Sequence, residues 1–465
     1  MKKLKNETAK FYSIATLCSA ILSFILSSLS SYNKIFKIGE EPLKISFVIK
    51  FVAFFFIILS VQIVLKRYSH LHFFVKQIFT VFSKTNATLS SLLCGILVFF
   101  FSYYFALQMP VDYGFHANLA NSLNFMDFKG TVLTYSTPLW HVLVKIINLV
   151  LHMPIDHSAA LASSLFILLT YRVTFGIIAE NAKNPFAKRY AAAFSAMLMF
   201  VQPIYLPWFN QHQIYGQGSP NIMHNPTNIA TKPFAIICAY LIVQMLLKAR
   251  NHEKIDITEY IKLSFFAFVS VIAKPSTIQV ILPALAVFLV LMLFLSVKQH
   301  FSFCIKICLS WLPALCYMMF SFFLNFVSDS VGVEGGISLS FFDVWKAFSN
   351  CIPLSILLVM LFPIVEIINC RKNELDANKL GMLFGFVCVA IGIIEYAFIM
   401  ETGERKYHGN FSWGYNIALG VIWTFAVSHL LTNSDKKYKK IAWNISCSLF
   451  FIYFIYGVYY YFSVV

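Results

Sequence analysis

The sequence predicts an all-α fold: a polytopic transmembrane bundle of about thirteen helices, with juxtamembrane amphipathic helices in its first large outer loop. Three observations predict it. Hydrophobic residues make up 59% of the 465 residues and charged residues 12%, against about 25% charged in a soluble domain. Many apolar runs are long enough to cross about 30 Å of hydrocarbon. The runs are continuous and not alternating, which excludes a β-barrel, whereas a helix bonds its own backbone polar groups in lipid.

The net charge of +16 raises nucleic acid as a partner, and its distribution excludes it. Lys and Arg fall in short clusters between apolar runs, the positive-inside pattern of membrane topology. The expected surroundings are membrane lipids. Ten cysteines are scattered, mostly inside apolar runs, with no disulfide framework and no metal-like spacing. Cys304 and Cys308 read as small buried hydrophobes one turn apart.

The N-terminal lysines Lys2, Lys3, Lys5 and Lys10 hold the start on the cytoplasmic side. No small-residue cleavage site follows the first apolar run, so it reads as a retained helix. Crossings are expected at roughly 11–30 and 46–65, then at 90–109, leading outward to Asp112. Val111 to His157 is a long outer region with two amphipathic segments. In "YGFHANLANSLNF", Phe115, Leu119 and Leu123 form an apolar stripe with His116 away from it. "TPLWHVLVKIINLVL" opens on a Thr cap and a Pro, and reads as a helix lying along the interface.

Further crossings are expected at 158–179, 190–207 and 233–248. The run 261–297 is too long for one helix and is broken by "AKPST", which predicts a hairpin with its tip outside. Others follow at 307–326, 353–369 and 380–398, then a twelfth that returns to Lys436, Lys437, Lys439 and Lys440, and a last at 441–462. The C-terminus then lies outside. The chain reads as a single membrane domain over 1–465, with a two-helix N-terminal extension at 1–89 and a core at 90–465.

Charges are scarce, so the outer loops that hold them stand out. Asp112 and His116 lie one helical turn apart. Asp112 is either a helix cap or a general base (or metal ligand) at the membrane surface, accepting the proton of a sugar hydroxyl. "GQGSPNIMHNPTNIATKPF" and the residues before it gather Gln211, His212, Gln217, Asn221, His224, Asn225 and Lys232. This is a turn-rich loop, or a set of amides and imidazoles suited to sugar hydroxyls. Lys274, at the break, is either a snorkelling lysine or a site for a lipid phosphate. "METGERKYHGNFSWGY" holds Glu401, Glu404, Arg405, Lys406 and His408 before Trp413. It is an interfacial belt with a solvated charge network, or a phosphate grip at Arg405 beside an aromatic sugar platform. Among charges inside the helices, Arg172 and Glu366 stand out, fewer than a proton-driven pump would carry. Walker, dinucleotide, HExxH and GxSxG motifs are absent.

The order of features in the first outer loop resembles the GT-C superfamily of polytopic glycosyltransferases. Asp112 stands at the acidic position after an early helix, "HANLANSLNF" at the juxtamembrane helix, and "STPLWHVLVKI" at the proline-containing segment. The resemblance covers about fifty residues. Tyr113 stands where the family often has a second acid, and two helices precede the loop where many members have one.

The resemblance implies transfer of a sugar from a polyprenyl-phosphate-linked donor to a glycan or lipid acceptor of the cell envelope, on the outer face of a bacterial plasma membrane. It implies Asp112 as base, with His116 beside it, and Glu401 or Glu404 as a second acid. Lys274 and Arg405 would hold the carrier phosphate. His224 and Asn225 would line the sugar pocket, with His212, Asn221, Lys232, His408 and Trp413 as further binding residues. Configuration would invert. A divalent cation is compatible with this reading and not required by it. The alternatives are a polymerase of lipid-linked repeat units, a flippase or transporter of lipid-linked sugars, and a non-catalytic scaffold.

Overall fold

The computed structural model describes residues 87–108, 111–127, 137–182, 185–326, 336–370, 375–432 and 440–464. The two crossings expected at 11–30 and 46–65 lie outside these residues, as does nearly all of the expected 1–89 extension. The architecture is helical. Seven helices are long and apolar enough to cross a membrane, or eight if a bent pair is taken as one span. The protein is therefore a multi-pass membrane protein.

The first described helix, α1 (Ala87–Gln108), packs along α4 (Ile155–Asn181). Its other face, with Leu92, Ile96, Leu97 and Phe100, is exposed, as a lipid-facing helix requires. Between them lie two short helices, α2 (Val111–Ser122) and α3 (Leu139–Leu151). Thirteen residues span roughly 20 Å, too little to cross, so α3 does not span by itself. It buries Trp140, His141, Val144 and Ile147 and exposes Ile146, Leu149 and Val150.

On α2 the expected stripe is corrected. The buried face is Tyr113, Ala117, Ala120 and Leu123, while Phe115 is 64% exposed. Small alanines let α2 pack against α3 and α4, and Phe115 is left on the outward side.

The segment expected to cross at 190–207 is shorter than that: α5 (Pro185–Leu198) has 14 residues. Helix then gives way to extended chain containing Pro203, which has no N–H to donate. Next come α6 (Pro226–Arg250), α7 (Ile257–Ala273) and α8 (Ser276–Leu295). The chain reverses at Lys274-Pro275. Thr277, at the start of α8, bonds to Thr231 near the start of α6 at 2.9 Å, while Phe288, later in α8, packs on Phe384, 5.6 Å between centroids. The hairpin predicted at "AKPST" is present.

Helices α9 (Val297–Ser310) and α10 (Leu312–Phe326) form the bent pair. Cys304 is buried there, but Cys308 is exposed on the outer side of α9, which corrects the reading of both as buried. Strand β1 (Ile337–Leu339), the single-turn helix α11 (Asp343–Lys346), α12 (Ile352–Ile368) and α13 (Ala377–Phe398) follow. Strand β2 (Ile399–Glu401) pairs antiparallel with β1, Ile337 opposite Glu401.

Helix α14 (Ser412–Thr432) is the axis of the bundle, with its span buried throughout. It packs most closely on α13. A side chain at Gly385 would meet Ile422 at 2.8 Å, and one at Gly392 would meet the Tyr415 backbone at 2.6 Å. Glycine at these places lets the two backbones touch. The last helix is α15 (Lys440–Val464).

Candidate functional site

Four sequence segments meet at one end of the bundle, and Asn225 joins three of them. As the N-cap of α6, it accepts the Asn228 N–H through Oδ1 at 3.0 Å. The same oxygen accepts the Thr227 hydroxyl at 3.0 Å and Lys274 Nζ at 2.9 Å. Its amide nitrogen donates to Asp112 Oδ2 at 3.2 Å. One amide thus bridges a carboxylate and an ammonium. Among the described residues no ion pair joins Asp112 directly to Lys274.

Lys274 is placed by the helix break. Helix α7 ends at Ala273, and the extended Lys274 (φ −169°) donates its N–H to Ser270 at 2.9 Å. Pro275 cannot continue the α7 ladder. The Thr231 hydroxyl, on α6, donates to the Ser270 carbonyl at 2.8 Å and so ties α6 to this corner. Lys274 Nζ also donates to Thr227 Oγ1 at 3.3 Å. It lies 4.4 Å from the centre of the Trp413 ring, a cation–π contact.

Trp413 brings in the fourth segment. Its indole N–H donates to Asn410 Oδ1 at 3.2 Å, and Asn410 donates to the buried carboxylate of Glu401 at 2.7 Å. Arg405 lines a small cleft with Glu401, Gly409 and Asn410, one step further from Asp112. Glu404 and His408 are exposed on the same loop.

The second segment supplies a wall of rings. A five-residue π-helical turn, Gln213–Gln217, is capped by His212, whose Nδ1 accepts the Tyr215 N–H at 3.3 Å. The Tyr215 ring lies 5.5 Å from Trp413, 6.3 Å from His224 and 4.7 Å from His212. The turn is held from below: the Trp345 N–H donates to Gly216 O at 2.8 Å and the Tyr396 hydroxyl to Tyr215 O at 2.9 Å. Gly409 closes the wall with φ +64°, where a Cβ would come within 2.8 Å of the Tyr215 ring. His224 lies 5.8 Å from Trp413, and its buried Nε2 has no hydrogen-bond partner.

His116 bonds to His141, Nδ1 to Nε2, at 2.9 Å. His141 in turn bonds to the Thr137 carbonyl at 3.2 Å. Burial pushes His116 down to about 3, with His141 and Lys274 adding to the effect. Burial likewise pushes His141 down to about 4 and His224 to about 3. These imidazoles are therefore neutral at pH 7. Burial also pushes Lys274 down, to about 7, against the upward pull of Asp112.

Asn221 and Lys232 form a different unit. Lys232 donates to Asn221 Oδ1 and to Pro220 O, and Asn221 donates to Leu198 O at 2.7 Å and Val201 O at 2.9 Å. These bonds pin the loop onto α5 and α6 and run to neither Asp112 nor Lys274.

Tyr215, Thr227 and Asn410 are site residues that composition and spacing did not single out. Thr227 follows the Asn225-Pro226 signal directly, so that signal marks it. Glu395 was also missed. It lies inside α13 against Gly414, where an added Cβ would sit 2.9 Å from its Oε2. That oxygen is buried and without a partner. Among the described residues, no three or more His, Cys, Asp or Glu side chains converge as a metal site. Comparison of the chain with protein-family models, with curated proteins and with solved structures finds no match in any of the three.

Proposed function

We propose that the protein is a membrane glycosyltransferase. It moves a sugar from a polyprenyl-phosphate-linked donor to a hydroxyl of a cell-envelope glycan or lipid, at the outer face of a bacterial plasma membrane. One observation carries the reading: Asp112, Asn225, Lys274 and Trp413, drawn from four separate segments, form a single contiguous cluster.

The cluster contains the parts such a transfer needs. Asp112 accepts the proton of the attacking hydroxyl as the glycosidic bond forms. Lys274 meets the phosphate that departs with the lipid, where negative charge develops. Asn225 sets their separation and keeps them from neutralising each other. The unpartnered His224 nitrogen and the faces of Tyr215 and Trp413 suit a sugar's hydroxyls and its apolar ring surface. Inversion follows from one base and one displacement. A carrier of lipid-linked sugars would instead place polar groups on both sides of a midplane cavity.

The test is transfer of radiolabelled sugar from synthetic polyprenyl-phosphate sugars to an envelope extract by the purified protein. Asp112→Asn keeps the hydrogen bond to Asn225 and removes the base. The expected result is a loss of about 10²–10⁴-fold with an unchanged melting temperature. Equal product from both proteins would remove Asp112 from the mechanism.

A further inference from the structure

A groove between α1 and α4 holds a positive charge that the proposed reaction does not use. The two helices run antiparallel. The Tyr171 hydroxyl of α4 donates to Ser91 O near the start of α1 at 2.8 Å, and Tyr103, near the other end of α1, meets His157 at 2.7 Å. Gly95 lets them approach, since a Cβ there would already lie 3.3 Å from the Tyr171 ring and 3.4 Å from Leu168. Beside this close approach a cavity of about 670 Å³ opens. Leu92, Ile96 and Phe100 of α1 and Leu165 and Leu169 of α4 wall it, and all five are exposed apolar side chains.

Arg172 stands at one end of this groove, exposed. Its Nη1 donates to Ser91 Oγ at 3.3 Å, and its guanidinium lies 5.2 Å from the centre of the Phe175 ring. Both partners are neutral. Among the described residues no carboxylate pairs with it. A guanidinium stays charged and has five N–H donors, so most of its bonding capacity is unused. An arginine inside a span is costly unless a counter-charge meets it. In this place the available counter-charge is a lipid phosphate, whose oxygens match the guanidinium fork.

The dimensions select the kind of lipid. Arg172 lies roughly 14 Å from the Asn181 end of α4, and a long side chain at that depth snorkels toward the head groups. From Ser91 to Phe100 the groove runs roughly 14 Å along α1, about the depth of one leaflet. That length takes one fatty acyl chain and is too short for a polyprenyl chain. The groove also stops at Phe100, short of Asp112 beyond the far end of α1, so it is separate from the proposed donor site. A zwitterionic head group carries its own cation beside the phosphate, whereas an anionic one leaves the phosphate to Arg172.

We infer that the α1–α4 groove binds one anionic phospholipid of the leaflet opposite the Asp112 cluster. Arg172 and Ser91 hold the phosphate, and one acyl chain lies along Leu92, Ile96 and Phe100.

The experiment titrates the full chain in detergent with phosphatidylglycerol or with phosphatidylcholine of the same chains, and counts bound lipid by native mass spectrometry. Wild type should bind one phosphatidylglycerol at least about tenfold more tightly than phosphatidylcholine. Arg172→Met, which keeps an unbranched side chain and removes the charge, should lose this preference with its melting temperature unchanged. Arg250→Met, an exposed arginine at the end of α6, should keep it. Leu165→Trp fills the far end of the groove and should weaken both lipids at this site while Arg172 remains. Equal preference in wild type and Arg172→Met overturns the inference, as does a wild type that does not distinguish the two lipids. Unchanged binding in Leu165→Trp overturns the path of the acyl chain. A polyprenyl phosphate that displaces phosphatidylglycerol at equal concentration overturns the choice of lipid.

Discussion

The two ends of the bundle hold similar chemical groups and arrange them differently. At one end Asp112 and Lys274 are separated by the amide of Asn225, which bonds to both. At the other Glu366 holds His429 directly, at 2.6 Å. A direct pair satisfies itself, and its charges are spent on each other. A bridged pair keeps its carboxylate and its ammonium aligned while leaving part of each free to meet a ligand. The elements differ accordingly. The bridged cluster draws on loops and helix starts, where side chains can be re-aimed, while the direct pair joins the last turn of α12 to the last turn of α14.

The comparison breaks most visibly if stability and activity are measured together at both ends. Glu366→Ala removes the carboxylate that holds the buried His429, and removing one member of a buried pair costs about 3–5 kcal/mol. The expected outcome in detergent is a large fall in melting temperature, with transfer per folded molecule unchanged. Asp112→Asn should do the reverse. If Glu366→Ala abolishes transfer by folded protein, or if Asp112→Asn unfolds the chain, the division of labour between the two ends is wrong.

How much of this was legible in the sequence follows from the same contrast. Lys274 was found because Pro275 breaks a long apolar run, and a charge at a helix break is conspicuous in a greasy chain. Asn225 was found because amides and imidazoles crowd its loop more densely than a plain linker needs; its role as a helix cap was not read from the sequence. Their convergence on Asp112 was not legible, because periodicity assigns a residue to a face and never names its partner. The same limit hid the partner of Glu366: the acid was visible, but His429 lies 63 residues away on another helix. The α2 stripe failed for a different reason. Counting large apolar residues favoured Phe115, Leu119 and Leu123, whereas close packing on α3 and α4 selected Ala117 and Ala120. Beside a membrane, a large apolar side chain gains as much facing outward as inward.

Lys274 sharpens the comparison with a smaller effect. Lys274→Met keeps the stem and removes the charge. A hydrogen bond to a charged group contributes about 1.5–3 kcal/mol, so donor KM should rise roughly 10–100-fold with kcat less affected. The same variant has a pH signature in folding. With its pKa lowered to about 7 in the folded protein, Lys274 binds a proton more weakly there than in the unfolded chain, where it titrates near 10.4. Between those values the unfolded state carries the extra proton, so this lysine makes the protein gain stability as pH rises from about 7 to about 10. Lys274→Met removes that gain. Melting temperatures of the two proteins should therefore diverge in favour of wild type across this window, and parallel curves would show that Lys274 is not desolvated as described.

The smallest effect is expected at Trp413, where two contributions separate. The indole face carries Lys274 at 4.4 Å, and the indole N–H holds Asn410, which holds Glu401. Trp413→Phe keeps an aromatic face for the ammonium and loses the N–H. One hydrogen bond contributes about 1 kcal/mol, so transfer should fall only about fivefold. Trp413→Leu removes the face as well, and a desolvated cation–π contact adds up to about 2 kcal/mol. The expected order is wild type, then Phe, then Leu, with the Phe-to-Leu step appearing mainly in donor KM because that is where Lys274 acts. If Phe and Leu are equally impaired, the ring matters only through its N–H, and the fourth segment serves the site as a brace for Asn410 and Glu401 with no part in aligning the cation.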